Sequence, residues 1–592
     1  GADTAEVDGE SRPKDRAEDR GDSARFAFLK DDGPPAQGKG ECRGTGRAER
    51  EDGERGGDRG GEHAQGGERD QAAERGDRDW RRRQDGRRGG EDKTELEVFG
   101  EAKAKSTAGI DFDKYDAIPV QITGQNVDSI VPIQRFSEAK LTESLFDNLR
   151  RCGYERPTPV QRHSIPIVVS GRDLMACAQT GSGKTCGFMV PCLEALLRSG
   201  PPPNPTGGRR SKPMPCGLVL APTRELAAQI HVEACKFAWE TGIRCCIIYG
   251  GADMREQRND LERGCDILIA TPGRLSDLCD RNYISLELVQ FFILDEADRM
   301  LDMGFEPQVR QIVERTNLGR SSPHIRQSMM FSATFAREVQ HMARDFLNDY
   351  VFITVGRVGS ASELITQSVV YAGELKGKAR ALEKTIRDHL PKDGLAVVFV
   401  ETKRSADDLE LELHKAGVPV TAIHGDRTQQ QREEALSAFK SGANPVLVAT
   451  DVAARGLDIP NVALVVNFDM PKQLDDYVHR IGRTGRAGRK GVAVAFVNER
   501  CTYLPELGHL LVEAKQELPL WFNELCNNAH RRGGKGASRD SGPVQDLRLQ
   551  EGGGSGMSTV TTTQRGSGGA GPFQQAPRGP NAFGATGADD AW

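Results

Sequence analysis

DLMACAQTGSGKT at 173–185 joins a short apolar run to a glycine-rich turn, and TCGFMVPCLEALL (185–197) then continues in a helical pattern. Gly181 and Gly183 permit a sharp reversal in which backbone N–H groups face one point, the geometry of an anion cradle. Lys184 adds a point charge and Thr185 a hydroxyl suited to a divalent cation. With Thr180 and Ser182 completing it, the loop predicts binding of nucleotide phosphates. A second apolar run, FFIL, ends in DEAD at 295–298. Its carboxylates supply what a magnesium-dependent hydrolysis needs: Asp295 to hold the metal and Glu296 to polarise the attacking water.

Working outward, the same phrase recurs. GLVLAPT (217–223), CCIIYGG (245–251), DILIATPGR (266–274) and QSMMFSAT (327–334) are apolar runs that each end in a polar motif. Helical stretches such as ELAAQIHVEACKFAWE (225–240) lie between them. Continuous rather than alternating apolar runs are the mark of parallel strands covered on both faces. In open sheets of this kind ligands bind beyond the carboxyl ends of the strands, where every polar motif falls. A second series follows the polar stretch GRVGSASEL (356–364): TQSVVYAG, LAVVFVET, VPVTAIHGD, PVLVATD, ALVVNFD and GVAVAFV, ending at 497. It carries no phosphate loop of its own. A nucleotide held in the cleft between two α/β domains is expected, with the helical stretch 505–526 packed on the second.

Composition divides the 592 residues into core and ends. Residues 1–95 are rich in Gly, Arg, Asp and Glu, and 527–592 in Gly, Ser, Thr and Gln, so both are expected to be disordered for want of apolar surface. The expected layout is a tail at 1–95, an extended flank at 96–130, a first domain at 131–355, a linker at 356–365, a second domain at 366–526 and a tail at 527–592. No stretch approaches ~20 uninterrupted apolar residues, so no membrane partner is expected and a soluble intracellular chain is. The 13 cysteines include no C-x-x-C pair and several lie in apolar runs, which favours reduced, buried thiols over a metal site. Net charge is −6, which alone argues weakly against nucleic acid, but function depends on where Lys and Arg lie.

Further motifs add chemistry. In GYERPTPVQ (153–161), Gln161 offers the donor and acceptor that match the N6 and N7 edge of adenine, and Tyr154 or Phe136 could pack on the base. In HRIGRTGR (479–486), Arg483 and Arg486 are candidate arginine fingers for a γ-phosphoryl group. Pro222, Thr223, Arg224, Gly251, Thr271, Arg274, Thr402, Gly425 and Thr450 sit at strand ends in both domains. Their hydroxyls, guanidinium groups and exposed backbone suit phosphate oxygens, so the set predicts a nucleic-acid track that holds a strand by its backbone. The hydroxyls of Ser332 and Thr334 are placed to link the DEAD carboxylates to the other domain.

GYERPTPVQ, AQTGSGKT, PTRELA, TPGRL, DEAD, SAT, HGDRTQQQR, ATDVAARGLD and HRIGRTGR occur in the order found in DEAD-box RNA helicases, which the chain resembles over roughly 110–526. DEADRMLDMGFEPQVRQIV (295–313) and GIDFDKYDAIPVQ (109–121) look most like the Vasa-like branch. The resemblance implies an α/β fold of two tandem RecA-like domains with parallel sheets, flanked by disordered tails. It implies ATP and Mg2+ as cofactors and RNA, as single strands and short duplexes, as partner. By matching position, Asp458 would contact the ribose and His479 the facing domain, while Ser332 and Thr334 would transmit closure. Catalysis would then rest on Lys184, Asp295, Glu296, His479, Arg483 and Arg486.

The function expected is RNA-stimulated ATP hydrolysis coupled to domain closure, local duplex separation and ribonucleoprotein remodelling. An ATP-gated RNA clamp that nucleates protein–RNA assemblies is the alternative; a phosphate-loop kinase would need an acceptor pocket and a lid. RGG segments at 55–57, 59–61, 88–90 and 532–534 suit RNA contact, but acidic neighbours make a solvated linker at least as good a reading. A monomeric core is expected, with protein partners reached through the tails. Cytoplasmic placement is expected, with ribonucleoprotein granules or the nucleus as alternatives.

Overall fold

Apolar runs buried on both faces build the molecule around two sheets. A computed structural model describes residues 79–80, 94–99, 118–179, 181–202, 212–317, 326–356, 364–373, 375–454, 462–485, 490–532 and 557–562. Most of the two tails therefore lies outside the described residues, as do the RGG segments apart from Arg532.

The first sheet contains β1 (Val120–Gln125), β2 (Leu174–Ala178), β3 (Gly217–Leu220), β4 (Cys245–Ile248), β5 (Ile267–Ala270), β6 (Phe291–Leu294), β7 (Gln327–Ser332) and β8 (Val351–Val355). The second contains β9 (Ile365–Tyr371), β10 (Leu395–Val400), β11 (Val420–Ile423), β12 (Val446–Thr450), β13 (Val462–Asn467) and β14 (Gly491–Val497). A last strand, β15 (Met557–Thr562), returns to the first sheet. The orders are β15-β1-β8-β2-β7-β6-β3-β5-β4 and β11-β12-β10-β13-β14-β9. From β8 to β4 the first sheet is parallel, and the second is parallel throughout.

Strand alternation distributes the side chains between two layers. Leu174, Ala176 and Val219 join one core with the helices Pro159–Val169, Lys184–Ser199 and Arg224–Phe237. Met175, Cys177 and Leu218 join the opposite core with Pro272–Asp280, Glu306–Asn317 and Arg337–Phe346. Helices on both faces are why these strands read as unbroken apolar runs. In the second domain the stretch after 500 forms two helices, Leu504–Glu513 and Leu520–Arg532, whose Leu507, Leu511 and Phe522 pack against Ile365, Tyr477 and Ala495.

Three features exceed the sequence reading. β1, within the expected extended flank, pairs antiparallel with β8, Val120 opposite Val355. β15 pairs antiparallel with β1, Val120 opposite Thr562. Trp80, from the N-terminal tail, is fully buried in the first core, and its indole N–H donates to Leu196 O at 2.8 Å. That carbonyl, in the last turn of Lys184–Ser199, also accepts from Gly200 N at 3.0 Å, so the indole adds a second donor at the helix end.

Burying a ring of this size stabilises by roughly 2–3 kcal/mol. Trp80→Ala is expected to lower the unfolding free energy of the first domain by roughly 3–5 kcal/mol in denaturant titration, because burial, the indole hydrogen bond and the filled volume are lost together, and Trp80→Phe by less. An unchanged transition in the alanine variant would remove Trp80 from the core.

Candidate active site

The phosphate loop lies between β2 and the helix Lys184–Ser199, and two glycines hold its shape. Gly181 has φ 79° and Gly183 φ 85°, the left-handed region that favours glycine. A Cβ on Gly183 would also come within 2.4 Å of Gln161 Nε2. Thr158 Oγ1 donates to Ser182 O at 2.7 Å, and Gln161 Nε2 donates to Gly183 O at 3.0 Å. Gln161 Oε1 accepts from Thr158 N at 2.9 Å, so both ends of its amide are engaged. The residue expected to read adenine thus also clamps the loop, and Thr158 shares that task without any sequence signal beyond its place before a helix. Phe136 is buried and meets Tyr154 edge to face at 6.2 Å; Tyr154 in turn packs on Phe237.

Within the loop, Lys184 is buried and its Nζ donates to Ala178 O at 3.0 Å. Ser182 Oγ is buried with no hydrogen-bond partner among the described residues. An unpartnered donor, a cationic head group and left-handed glycines fit a polyanion with several oxygens. Thr185 is half-buried at the start of the helix, and Thr180 lies outside the described residues.

Beside the loop, β6 ends at Asp295. Burial pushes its carboxyl up to about 6; Lys184 opposes the shift and Glu296 adds to it. Glu296 takes φ 52°, unusual for a residue with a Cβ and worth roughly 1–3 kcal/mol of local strain. The turn lets Glu296 N donate to Asp295 Oδ1 at 3.0 Å. A buried carboxylate next to a buried lysine fits a divalent cation, and Asp295 with Thr185 are the residues that would hold it.

The last carboxylate of DEAD ties this site to the neighbouring strand. Asp298 Oδ2 accepts from Thr334 Oγ1 at 3.0 Å, Thr334 N at 3.1 Å and Ala333 N at 3.3 Å. Ser332 is fully buried, and its Oγ accepts from Thr334 N at 3.3 Å.

Across the cleft, His479 Nε2 lies 3.6 Å from Asp298 Oδ2. Arg299 donates to Asp476 Oδ1 at 2.5 Å and Asp302 Oδ2 at 2.9 Å, and also contacts His479 Nδ1. Sequence reasoning found His479 but missed Arg299 and Asp476. The available signal was Asp476 one helical turn before His479 on Leu474–Ile481. Arg483 is buried, while Arg486 and Asp458 lie outside the described residues. Arg480, also unforeseen, pairs with both oxygens of Asp451 at 2.5 and 2.6 Å and lies over the Phe399 ring at 5.0 Å. It braces the turn that carries Arg483.

The expected nucleic-acid residues gather in two groups. Thr223 caps the helix Arg224–Phe237, its hydroxyl accepting from Leu226 N, with Pro222 buried before it. Gly251, at φ 84°, leaves room for Arg224: a Cβ there would meet Arg224 Nη1 at 2.3 Å. Arg274 donates to Ala252 O and to Gln257 Oε1, so Arg224 and Arg274 bracket one turn. Thr271 precedes Pro272–Asp280 at its N-cap. In the second domain Thr402 caps Lys403–Lys415, Gly425 lies against Lys403, and Thr450 is paired in register with Val400. Helix N-termini suit phosphate oxygens, and four are gathered here once Thr428, the N-cap of Gln429–Lys440, is counted. The groups are joined by Arg224 donating to Gln429 at 3.2 Å and by the Arg432–Glu225 pair.

Gly183→Ala is expected to weaken nucleotide binding by about tenfold or more, since the Cβ both strains φ and displaces Gln161. Equilibrium titration with a fluorescent ATP analogue measures it; wild-type affinity would show that the loop tolerates the crowding.

Residues 158–342 match the DEAD/DEAH box helicase family, and residues 377–488 match the helicase conserved C-terminal domain. S. cerevisiae Dbp5 bound to RNA and ADP BeF3 is 28% identical over 67% of this chain and 99% of that one, with a TM-score of 0.55. The DEAD-box helicase Mss116 bound to ssRNA and UDP-BeF is 30% identical over 67% and 82% of the two chains, with a TM-score of 0.56. Mss116p lacking its NTE and C-tail, bound to ssRNA and AMP-PNP, is 29% identical over 69% and 84%, also at 0.56. Shared motifs, two tandem RecA-like sheets and matches that span both of them place the chain in the DEAD-box helicase family, the RNA-dependent ATPases that act as ATP-dependent RNA helicases.

Proposed function

We propose that this RNA helicase hydrolyses ATP with Mg2+ at a site completed by its second domain, and that the joined domains grip a single RNA strand by its backbone. The observation that supports the reading most is the continuous path from Asp295 and Glu296 through Asp298 to Thr334 on one side and to His479 and Arg299 on the other. Any change in the nucleotide site reaches the facing domain through one turn of chain.

In this reading Lys184 and the loop N–H groups hold the phosphates, Asp295 and Thr185 hold the cation, and Glu296 accepts a proton from the attacking water. The cation would screen phosphate charge and lower the barrier to displacement. Arg483 and Arg486 stabilise charge on the γ-phosphoryl group, Asp458 contacts the ribose, and Gln161 reads adenine with Phe136 or Tyr154 beside the base. Pro222, Thr223, Arg224, Gly251, Thr271, Arg274, Thr402, Gly425 and Thr450 form the track. Contact with backbone and 2′-hydroxyls selects RNA without reading bases, so local strand separation follows where the track bends a strand away from its partner. DEADRMLDMGFEPQVRQIV (295–313) and GIDFDKYDAIPVQ (109–121) support the Vasa-like branch; a monomeric core, protein partners reached through the tails, and work in the cytoplasm, ribonucleoprotein granules or nucleus complete the reading.

Glu296→Gln is expected to keep ATP and RNA binding while losing about 10²-fold or more of RNA-stimulated phosphate release. Near-normal release from that variant would sink the role of Glu296. Asp295 supplies a pH test. A carboxyl must lose its proton to hold a cation, so Mg2+-dependent nucleotide affinity of the free enzyme should fall as pH drops through about 6. The decline approaches tenfold per pH unit at lower pH. Affinity that stays flat across that range in calorimetric titration would exclude Asp295 as the cation ligand.

A further inference from the structure

The helix Arg224–Phe237 carries a histidine and a cysteine one turn apart, facing the first residue of β4. Cys235 Sγ lies 3.4 Å from His231 Nε2, and the same nitrogen lies 3.2 Å from Cys245 O. Both cysteines therefore lie against one imidazole nitrogen, Cys235 through its sulfur and Cys245 through its carbonyl, with Cys245 in the first core and Cys235 packed against it. β4 is the outermost strand on its side of the sheet, and Cys235 and His231 are half-buried rather than shut in. Among the described residues no group of His, Cys, Asp and Glu could hold a metal ion, so metal binding does not explain the grouping.

We propose that Cys235 and Cys245 form a peroxide-sensitive thiol pair, with Cys235 the attacking sulfur, His231 its base and Cys245 the resolving sulfur. His231 Nε2 takes the Cys235 proton, and the N–H so formed donates to Cys245 O. Burial alone would disfavour the charged ring, but contact with Cys235 and the Cys245 carbonyl raises its pKa. The Cys235 thiolate attacks one oxygen of hydrogen peroxide, the O–O bond breaks, and the leaving oxygen departs as water after gaining a proton. Cys245 then attacks the sulfenic sulfur, loses its own proton, and displaces hydroxide that leaves as a second water. Two thiols and one peroxide thus give one disulfide and two waters, with both electrons coming from sulfur. The order of attack follows from position: Cys235 is half-buried with its sulfur against His231, whereas Cys245 is buried at the start of β4, where the neighbouring Cys235 and burial also push its thiol up.

The rest of the thiol set gives an internal comparison. Cys246 and Cys265 both lie in the opposite core at exposures of 0% and 4%, which shuts them from solvent. Cys279 and Cys501 are half-buried, as Cys235 is, but among the described residues neither is hydrogen-bonded to a histidine.

The test treats the full chain with hydrogen peroxide, blocks remaining thiols, and maps peptides by mass spectrometry without reduction. The expected result is a Cys235–Cys245 disulfide that forms about tenfold or more faster than oxidation of Cys279 or Cys501. Cys245→Ser should instead accumulate Cys235 sulfenic acid, trapped by dimedone, and His231→Asn should slow disulfide formation several-fold with circular dichroism unchanged. Oxidation of Cys235 no faster than that of Cys279 and Cys501 would overturn the proposal, as would an unaltered rate in His231→Asn. Should Cys245→Ser unfold, the rate of Cys235–Cys245 disulfide formation in the wild-type chain against oxidation of Cys279 and Cys501 still decides it.

Discussion

Everything in the active cleft hangs on the buried carboxylate of Asp298. It accepts three donors from Ala333 and Thr334 and faces His479 of the second domain. A carboxylate this deeply buried is tolerable only when its lone pairs are met, and hydrogen bonds to charged acceptors contribute about twice what neutral ones do. Removing any of the three would leave part of a charge uncompensated in a medium of low polarity. The end of β6, the end of β7 and the last turn of Leu474–Ile481 are therefore held to one mutual arrangement. Arg299 extends the node, since its guanidinium meets Asp302 on its own side and Asp476 across the cleft.

The sheets were legible because their strands are covered twice. An unbroken run such as FFIL or VLVAT has no polar face to hide, and twelve such runs became β2 to β7 and β9 to β14. The loop at 178–185 was equally legible, because few residue types besides glycine take φ near 80° and turn N–H groups inward. What escaped notice is mostly pairwise. Arg299 and Asp476 stand 177 positions apart, and nothing in either segment says which acid will meet which base. Arg480 was hidden inside HRIGRTGR by more conspicuous arginines, yet it is buried and braced by Asp451, Asn467 and a carbonyl. VFITV at 351–355 was an apolar run of the same kind that did not end in a motif, so chemistry did not draw attention to it.

Gln161 shows how one side chain can be read correctly for type and incompletely for task. Its donor–acceptor pattern is suited to a purine edge, but here both groups serve the loop and the helix that Thr158 caps. An amide so placed would sense the base and the phosphates together, because satisfying one partner means releasing another.

The pairing of β15 with β1 gives the polypeptide a second bridge between its halves, in addition to the segment that leaves β8. Contour length decides which of them governs excursions. The nine residues 356–364 can reach about 30 Å, whereas the 24 residues 533–556 can reach about 80 Å. Docking of the returning strand therefore pairs amides that β1 would otherwise leave open at the rim of the first sheet, and the shorter of the two bridges sets the limit on how far the halves can part.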